Sequence, residues 1–180
     1  MTFDNWEENK KALEHFPDLA QMLADLPNYQ VVNGRLSRGA QPTANGFKTL
    51  RGEGVRTVIN LRSEALESEE ASIVRGLGMV YRAIPLELFT KPKDSDIVEF
   101  LELAASDSGH VFVHCLHGQD RTGMMIAIYR MVVDGFTFKD AYTEMLALGF
   151  HKEFTNLSDT ARRYENRTLL EVIEGHSGRF

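Results

Sequence analysis

Apolar positions along this chain fall into short continuous runs, separated by stretches with helical spacing. The runs at 55–61 (VRTVINL), 79–86 (MVYRAIPL) and 110–115 (HVFVHC) are nearly continuous, which is typical of strands buried on both faces. The segments between them, 67–78 and 95–106, carry apolar residues at helical spacing. The pattern therefore predicts strands that alternate with helices.

The flanking segments predict further elements. An Asn-Gly pair within 29–39 (YQVVNGRLSRG) indicates a hairpin, and Pro42-Thr43 opens a predicted helix that a glycine closes. The apolar segment 121–135 predicts a helix ended by its last glycine. Further helices are expected near 137–148, near 157–174, and as one or two short helices within 6–26, interrupted by Pro17.

Strands separated by helices of this length are joined by right-handed crossovers. The predicted fold is therefore a single α/β domain with a mainly parallel central sheet, flanked by helices on both faces. We divide the chain into an N-terminal helical segment, 1–28, and a main domain, 29–176. Ligands of such sheets bind beyond the carboxyl ends of the strands, and Cys115 is predicted to lie there.

The composition of the chain argues against several classes of protein and of site. The 180 residues are 43% hydrophobic and 26% charged, and a net charge of −6 argues against non-specific nucleic-acid binding. A single cysteine excludes an internal disulfide and a cysteine-rich zinc site. No run approaches the roughly 20 apolar residues that span a bilayer, and the first residues are charged and unlike a secretory signal. We therefore expect a cytoplasmic protein, unless a leader has been removed.

The only cysteine is followed by residues that suit an anion. In 110–123 (HVFVHCLHGQDRTG), Gly118 can adopt backbone angles that point successive N–H groups inward. The helix predicted near Arg121 adds free N–H groups and the positive end of its dipole. The Arg121 guanidinium offers a planar fork for two phosphate oxygens. The same groups stabilise a thiolate at Cys115, which suits covalent catalysis through a cysteinyl-phosphate.

Two neighbours of the cysteine are candidate supports. The Thr122 hydroxyl could hydrogen-bond the sulfur and ease its departure when water attacks. His114 could fix the loop by bonding backbone carbonyls, and its cation would assist the thiolate. An isolated cysteine at a strand end is usually a small buried apolar residue. The complete string, with a strand before it and a helix after it, favours chemistry instead.

The segment HCLHGQDRTG resembles the signature loop, His-Cys-x5-Arg-Ser/Thr, of the cysteine-dependent protein-tyrosine phosphatase superfamily. The resemblance extends through NGRLSRGAQPT, INLRSE, the 81–96 loop and AYTEMLALGF, and is strongest to compact atypical dual-specificity phosphatases of bacteria, fungi and plants. It implies that 29–176 is a phosphatase domain, that Cys115 is the nucleophile, and that neither a metal nor a cofactor is needed. The implied phosphate cradle is formed by Leu116, His117, Gly118, Gln119, Asp120 and Arg121.

The resemblance also implies a general acid, usually an aspartate on a mobile loop before the cysteine, which protonates the leaving oxygen. The chain lacks the Trp-Pro-Asp tripeptide of the larger tyrosine phosphatases. We favour Asp94, because KPKDSDIVEFL resembles the loop-to-helix junction of the small bacterial members; its structural alternative is a helix N-cap, a role that Ser95 could also take. Asp96 is interpreted as a partner of the helix dipole and Glu87 as a solvated loop charge, and both remain alternatives for the acid.

Asp120 departs from the expected pattern. A carboxylate inside the loop repels a dianion unless it points outward or is protonated. Aspartate at this position resembles the loops of some phosphoinositide phosphatases. For Asp120 we favour structural bonding to the loop or to a neighbouring arginine, with acid catalysis or water positioning as the alternative.

The loop indicates the reaction type and leaves the phosphomonoester open. We place a tyrosine or dual-specificity protein phosphatase ahead of an inositol polyphosphate (phytase-like) or phosphoinositide phosphatase, whose substrates need several more cations. Arg62 is a candidate contact, because it follows a buried strand at its carboxyl end. The other cations that could converge on the pocket, each alone more typical of a solvated surface charge, are Arg35, Arg38, Lys91, Lys93, His117, His151 and Lys152.

Two other classes of protein remain as distant alternatives. A rhodanese-type sulfurtransferase also uses a cysteine loop on an α/β fold, but its loop usually lacks this arginine followed by Thr-Gly. An inactive phosphate-binding module would be expected to lose Cys115 or Arg121, and both are present.

Overall fold

The structure is a computed structural model that describes residues 17–64, 67–106 and 109–177. One sheet contains the strands β1 (Gln30–Asn33), β2 (Leu36–Gly39), β3 (Val55–Arg62), β4 (Val80–Leu86) and β5 (His110–His114). The helices of the described residues are α1 (Pro17–Asp25), α2 (Ala44–Gly52), α3 (Glu67–Gly76), α4 (Asp94–Ala105), α5 (Asp120–Val132), α6 (Phe138–Ala147), α7 (Thr155–Arg162) and α8 (Leu169–Ser177).

The strand order of the sheet is β1-β2-β5-β3-β4. Strands β1 and β2 pair antiparallel, as expected for a hairpin turning at Asn33-Gly34, and the other three pairs are parallel. The predicted single domain with a mainly parallel sheet is thus confirmed. Strand β5 is the central strand, and the chain leaves its carboxyl end at residue 114.

Helices cover both faces of the sheet. The side chains of Val111 and Val113 pack into a core that includes residues of α4, α5, α6, α7 and α8. Phe112, between them in the same strand, packs into a second core with residues of α2 and α3. Burial on both faces explains why β5 reads as a continuous apolar run rather than an alternating one.

Helix α5 is the most enclosed helix of the described residues. Twelve of its thirteen residues are buried, Arg130 being the exception. Its first residue, Asp120, lies six positions after the end of β5, so a short loop joins the central strand to the central helix. Both ends of that loop are therefore fixed by the core.

Two details of the predicted elements are wrong. The single helix expected over 157–174 is broken into α7 and α8, because Asn166 between them has a φ of 62°, in the left-handed region that ends a helix. The predicted N-cap of α4, Asp94 or Ser95, is also wrong. The N-cap is Lys93, whose backbone is extended and whose side chain makes no capping bond.

The N-terminal helix packs on the rest of the domain. Its last residue, Asp25, accepts a hydrogen bond from the backbone of Thr43 at 3.1 Å, and Leu26 is buried in the second core. The helical prediction for 6–26 holds from Pro17 to Asp25, and residues 1–16 lie outside the described part of the chain. The division at residue 28 stays a prediction. In the described ranges, no helix has the length and apolar character needed to cross a membrane.

Candidate active site

Cys115 directly follows the central strand. In the parallel register of the sheet, its neighbour His114 pairs with Gly39 of β2 and with Asn60 of β3. Cys115 is 3% exposed, and its thiol is free. The only thiol of the chain is therefore recessed at the carboxyl edge of the sheet, where this architecture places ligands.

The loop after Cys115 depends on a glycine. Gly118 has a φ of 68°, and a β-carbon there would lie 2.4 Å from the backbone carbon of Gly39. An L-residue at this position is thus excluded both by its backbone conformation and by space. The side-chain amide of Asn28 bonds the carbonyl oxygens of His117 and Gly118 at 3.2 and 3.3 Å, which fixes the outer part of the loop.

The buried side chain of Arg38 supports the loop that follows Cys115. Its side chain is 1% exposed, and its Nη2 donates to the carbonyl oxygen of Gly118 at 2.6 Å. Burial lowers the pKa of Arg38 to about 10, while the charges of Glu144 and Cys115 oppose that shift. The expectation of a solvated surface charge at Arg38 is wrong, because the guanidinium lies inside the protein near the sulfur. There it adds positive charge behind the cradle, the loop 115–121.

Helix α5 begins at the end of the cradle with its backbone N–H groups uncapped. Its N-cap residue, Gln119, makes no side-chain capping bond. Free N–H groups and the positive end of the helix dipole attract an anion. The strand–loop–helix geometry predicted for a phosphate cradle is present.

One edge of the Arg121 guanidinium is hydrogen-bonded to other residues of the protein. Its Nη1 and Nη2 donate to the two carboxylate oxygens of Glu64 at 2.7 and 2.9 Å, and Nη1 also donates to the carbonyl of Leu86 at 3.3 Å. A guanidinium has five N–H bonds. The other two, on Nε and Nη2, lie side by side and suit two phosphate oxygens, and the side chain also hydrogen-bonds the Cys115 sulfur.

Burial alone would lower the pKa of Arg121. The hydrogen bonds to Glu64 and the negative charge of the Cys115 sulfur outweigh that effect, so that the pKa of Arg121 is raised. The Arg121 guanidinium therefore lies close enough to the Cys115 sulfur to interact with it directly.

Glu64 is the residue that orients this arginine. Hydrogen bonding from Arg121 lowers the pKa of Glu64 to about 2, so the carboxylate is ionised throughout the physiological range. Arg62 contacts the same carboxylate through Nε at 3.3 Å and the side chain of Gln41 through Nη1 at 2.7 Å. Arg62 thus lies beside the site, but some of its N–H groups already bond Glu64 and Gln41.

His114 fixes the cysteine from the side opposite the cradle. The ring is fully buried, with Nδ1 3.2 Å from the carbonyl oxygen of Cys115 and Nε2 2.9 Å from a carboxylate oxygen of Glu70. The second oxygen of Glu70 accepts from Gln41 at 2.8 Å and from Asn60 at 3.2 Å. Both ring nitrogens of His114 therefore lie next to oxygen acceptors. The expected bond from His114 to a loop carbonyl is present.

The hydroxyl of Thr122 is buried and has no hydrogen-bond partner among the described residues. The predicted bond from Thr122 to the Cys115 sulfur is not formed in this state, and its role in catalysis stays a prediction.

Asp120 is bonded outside the cradle, to the loop between α6 and α7. The backbone N–H of His151 donates to its Oδ1 at 2.8 Å, and the ring Nδ1 of His151 lies 3.1 Å from both carboxylate oxygens. Structural bonding was the favoured interpretation of Asp120, and the partner is a histidine rather than an arginine.

The structure does not bring Asp94 to the cradle. Its carboxylate accepts from the hydroxyl of Tyr164 at 3.0 Å and from Arg163 at 3.4 Å. Burial, followed by the charge of Asp94, raises the pKa of Tyr164. Asp96 lies in the first turn of α4, as interpreted from the sequence. The assignment of Asp94 as the general acid stays a prediction.

The entrance to the site is formed by the loop after β4 and the loop before α7. The first loop begins at Leu86, which bonds Arg121, and the side chain of Asn156 holds it by donating to the carbonyls of Leu88 and Thr90. Phe89 in this loop is 80% exposed and packs on the ring of Phe154 at 5.6 Å. The exposed lysines and histidines of this region are His117, Lys91, Lys93, His151 and Lys152.

A cavity of about 460 Å³ adjoins the site on the side of Arg62. Three glutamates line it together with that single arginine, so its lining carries a net negative charge. The lining residues are Gln41, Pro42, Ala44, Phe47, Arg62, Glu64, Glu69, Glu70 and Ile73.

Sequence reasoning missed the supporting carboxylates. Glu64 follows β3 at its carboxyl end, so the rule that selected Arg62 could also have selected Glu64. Glu70 is one of several glutamates at the start of a helix, and no local signal distinguishes it. Its role depends on His114, which lies 44 residues away in the chain.

Comparisons with known proteins agree with this geometry. Dual specificity protein phosphatase TpbA of Pseudomonas aeruginosa is 30% identical over 145 residues, which are 76% of this chain and 62% of that protein. A beta-lactamase hydrolase-like protein of Xylella fastidiosa is 31% identical over 124 residues, 66% of this chain and 27% of that protein. The chain thus spans less than two thirds of the length of these curated relatives.

Solved structures share the fold. The crystal structure of P. aeruginosa TpbA superposes with a TM-score of 0.67 at 23% identity, covering 84% of this chain and 91% of that one. A TpbA variant in complex with pTyr gives 0.66 at 22% identity, with the same coverage. The core catalytic domain of the PP-IP phosphatase SIW14 from S. cerevisiae, in complex with citrate, gives 0.69 at 17% identity, covering 78% and 87%.

The match to a family model covers most of the chain. The model described as "DSP-PTPase phosphatase fused to NAD+ Kinase" matches residues 6–163, which include the cradle, Glu64, Glu70 and His151. The chain therefore belongs to this family of compact cysteine-dependent dual-specificity phosphatases.

Proposed function

We propose that this chain hydrolyses phosphomonoesters through a cysteinyl-phosphate intermediate at Cys115. The observation that carries the proposal is the pairing of a recessed sulfur with the Arg121 guanidinium, which is held by Glu64 and also hydrogen-bonds the Cys115 sulfur. The planar guanidinium can hold two oxygens of a phosphate next to that sulfur.

The reaction has two steps. The Cys115 sulfur attacks phosphorus, the S–P bond forms, and the alcohol oxygen leaves with the electron pair and takes a proton. Water then attacks phosphorus, the S–P bond breaks, and the sulfur leaves as a thiolate. The N–H groups of the cradle and Arg121 stabilise the charge that develops on the phosphoryl oxygens in both steps.

In this proposal Asp94 protonates the leaving oxygen in the first step. Support comes from its position at the start of α4, directly after the loop that begins at the Arg121 contact. For this role Asp94 must exchange its bonds with Tyr164 and Arg163 for the substrate. Glu87, which follows Leu86, and Asp96 remain the alternatives.

We further propose a phosphoprotein substrate, with tyrosine or dual specificity, ahead of an inositol phosphate. The exposed ring of Phe89 offers an apolar contact for an aryl group at the entrance. The neighbouring cavity has a net negative lining, and Arg38 and Arg62 are engaged by the protein. A substrate with several phosphates would need cationic side chains that are free to bind it in this cavity and beside the cradle. TpbA and SIW14, which share the fold, represent the two alternatives.

The proposed setting is a reducing compartment, the cytoplasm. A thiolate nucleophile is active only while reduced, and the chain has no second cysteine that could protect it as a disulfide.

The test is a phosphate-release panel of p-nitrophenyl phosphate, phosphotyrosyl and phosphoseryl peptides, phosphoinositides, inositol hexakisphosphate and NADP+. NADP+ is included because the matching family is described as fused to NAD+ kinase. Turnover of the phosphotyrosyl peptide should exceed that of inositol hexakisphosphate, and the reverse order would replace the substrate proposal by its alternative.

Cys115→Ser should abolish turnover of p-nitrophenyl phosphate, by at least about 10³-fold, because an alcohol is a much weaker nucleophile. Binding of phosphate, measured as an increase in Tm, should persist. Arg56→Lys, at an exposed position of β3, is the matched control for handling and should keep full activity. A serine variant that retains most of the rate would exclude the covalent mechanism.

A further inference from the structure

Asp120, the acidic residue of the cradle, is hydrogen-bonded to His151, a residue with no role in the reaction described so far. Asp120 is buried, and His151 contacts it through both its backbone N–H and its ring Nδ1. An ionised carboxylate accepts hydrogen bonds and cannot donate them. The Asp120 carboxylate therefore favours the tautomer of His151 with a proton on Nδ1, which leaves the lone pair on Nε2.

The loop that carries His151 is fixed against the cradle. Gly149 has a φ of 92°, and a β-carbon there would lie 2.5 Å from the side-chain amide of Gln119, the residue before Asp120. The ring of Phe154 packs edge-on against the imidazole at 6.1 Å. The His151 side chain is still 56% exposed. The ring is thus held on its Nδ1 side and open to water at the rim of the cradle.

The second step of the proposed reaction needs a base. Water loses a proton as it attacks the cysteinyl-phosphate, and that proton must be accepted near the cradle. The other carboxylates close to the cradle already have partners: Glu64 bonds Arg121 and Glu70 bonds His114. Asp94, the proposed acid of the first step, is bonded to Tyr164 and Arg163 at the start of α4, whereas His151 is bonded to Asp120 of the cradle itself.

We propose that His151 is the general base of the second step and that Asp120 is its positioning residue; this inference rests on the proposed function. The water oxygen bonds to phosphorus, the S–P bond breaks, and its electron pair returns to the Cys115 sulfur. The proton of the water passes to Nε2 of His151. The resulting imidazolium is stabilised by the Asp120 carboxylate and releases the proton to solvent.

The charged groups around this pair are few. Asp120 faces the ring from α5, and Arg121 follows Asp120 in the chain. Lys152 and Glu153 are exposed neighbours of His151 on its own loop. Within the described ranges, the Asp120 contact is the one ion pair in which the ring takes part.

The decisive variant is His151→Asn. The asparagine amide can replace Nδ1 as a donor to Asp120, but it offers no base in place of Nε2. In rapid-mixing experiments with p-nitrophenyl phosphate, the rate of the initial p-nitrophenol burst should be unchanged. The steady-state rate should fall about 10²-fold, in the range for loss of a general base. Phosphocysteine should accumulate, as measured by mass spectrometry after acid quench, and the acidic limb of the kcat–pH profile should disappear.

Two further variants sharpen the test. Asp120→Asn presents an amide to the ring and favours the opposite tautomer, so kcat should fall with phosphocysteine accumulation. Any change in phosphate binding by this cradle variant is read separately from KM. Glu153→Gln, at an exposed position of the same loop, is the matched control and should leave both steps unchanged.

An unchanged steady-state rate in His151→Asn would overturn the inference. Equal slowing of the burst and of the steady state would also overturn it, since that is the signature of a structural role. If no variant, the parent chain included, forms phosphocysteine while p-nitrophenol is released, the covalent mechanism fails and the base assignment with it. The parent chain therefore distinguishes the two failures.

Discussion

Arg121 must satisfy the protein and the substrate at the same time. Three of its N–H bonds go to Glu64 and Leu86, and the two others lie on the edge that the phosphate would use. A flexible arginine would lose rotamer entropy when it binds an anion. The Glu64 contact removes that cost before the substrate arrives, and it does so from a residue that sequence reasoning did not select.

The Glu64–Arg121 pair should be visible in the pH dependence of stability. The pKa of Glu64 is lowered from 4.5 to about 2 by the hydrogen bond from Arg121. A carboxyl group with a lowered pKa stabilises the fold above its unfolded value and loses that contribution as the pH falls. The parent chain should therefore be more stable than Glu64→Gln near neutral pH, and the difference should decrease between about pH 4.5 and pH 2.

Urea unfolding at several pH values measures this difference. Glu99→Gln, at an exposed position of α4, is the matched control and should show no such pH-dependent gap. A gap between the parent chain and Glu64→Gln that stays constant down to pH 2 would mean that the ion pair does not hold in solution. Activity of Glu64→Gln should also fall, because Arg121 is no longer oriented.

At the scale of elements, the helices and strands that depend on residues close together in the chain could be predicted from local sequence patterns. The hairpin, the buried strands and the helix after the cradle follow from periodicity, turn residues and glycine positions. The break between α7 and α8 was missed, because an asparagine in the left-handed region has only a weak signal in sequence. The cradle could be predicted because its residues are contiguous. Its supports, Glu64 and Glu70, come from segments 57 and 44 residues before Arg121 and His114.

Strand β2 supports the cradle through Arg38, at a cost to stability. Two of its nitrogens, Nε and Nη1, are buried without a hydrogen-bond partner among the described residues, and burial lowers its pKa. A buried guanidinium with unsatisfied N–H groups carries a desolvation penalty that an apolar side chain of similar length does not have. The bond to Gly118 and the positive charge near Cys115 would be lost in such a variant.

Arg38→Met should therefore separate stability from activity. We expect a Tm equal to or above that of the parent chain, and a kcat/KM lower by about 10–100-fold, as for loss of one charge-assisted hydrogen bond in the transition state. Arg82→Met, at an exposed position of β4, is the control and should change neither value. Losses of Tm and activity in proportion would indicate that Arg38 acts only as a structural residue.

At the scale of the whole molecule, the site is assembled where both layers of helices meet one end of the sheet. The central strand provides Cys115, β2 provides Arg38, and the segment after β3 provides Glu64. The loop after β4 contacts α7 through Asn156 and contacts the loop before α7 through the packing of Phe89 on Phe154. Catalysis therefore depends on the packing of distant segments, and substitutions at their contacts can alter activity without touching the cradle.

For Asp94, an effect on the packing of distant segments must be separated from a direct effect on catalysis. Its carboxylate joins α4 to the segment after α7 through Tyr164, and it is also the proposed general acid. If Asp94 is the acid, Asp94→Asn should lower kcat by about 10²–10⁴-fold on substrates with poor leaving groups, and much less on p-nitrophenyl phosphate. Tyr164→Phe removes the same interhelical bond and keeps the carboxylate, so its activity should equal or exceed that of the parent chain. Equal losses in Asp94→Asn and Tyr164→Phe, on all substrates alike, would make Asp94 a structural link and transfer the acid role to Glu87, which Glu87→Gln would then test on the same substrates.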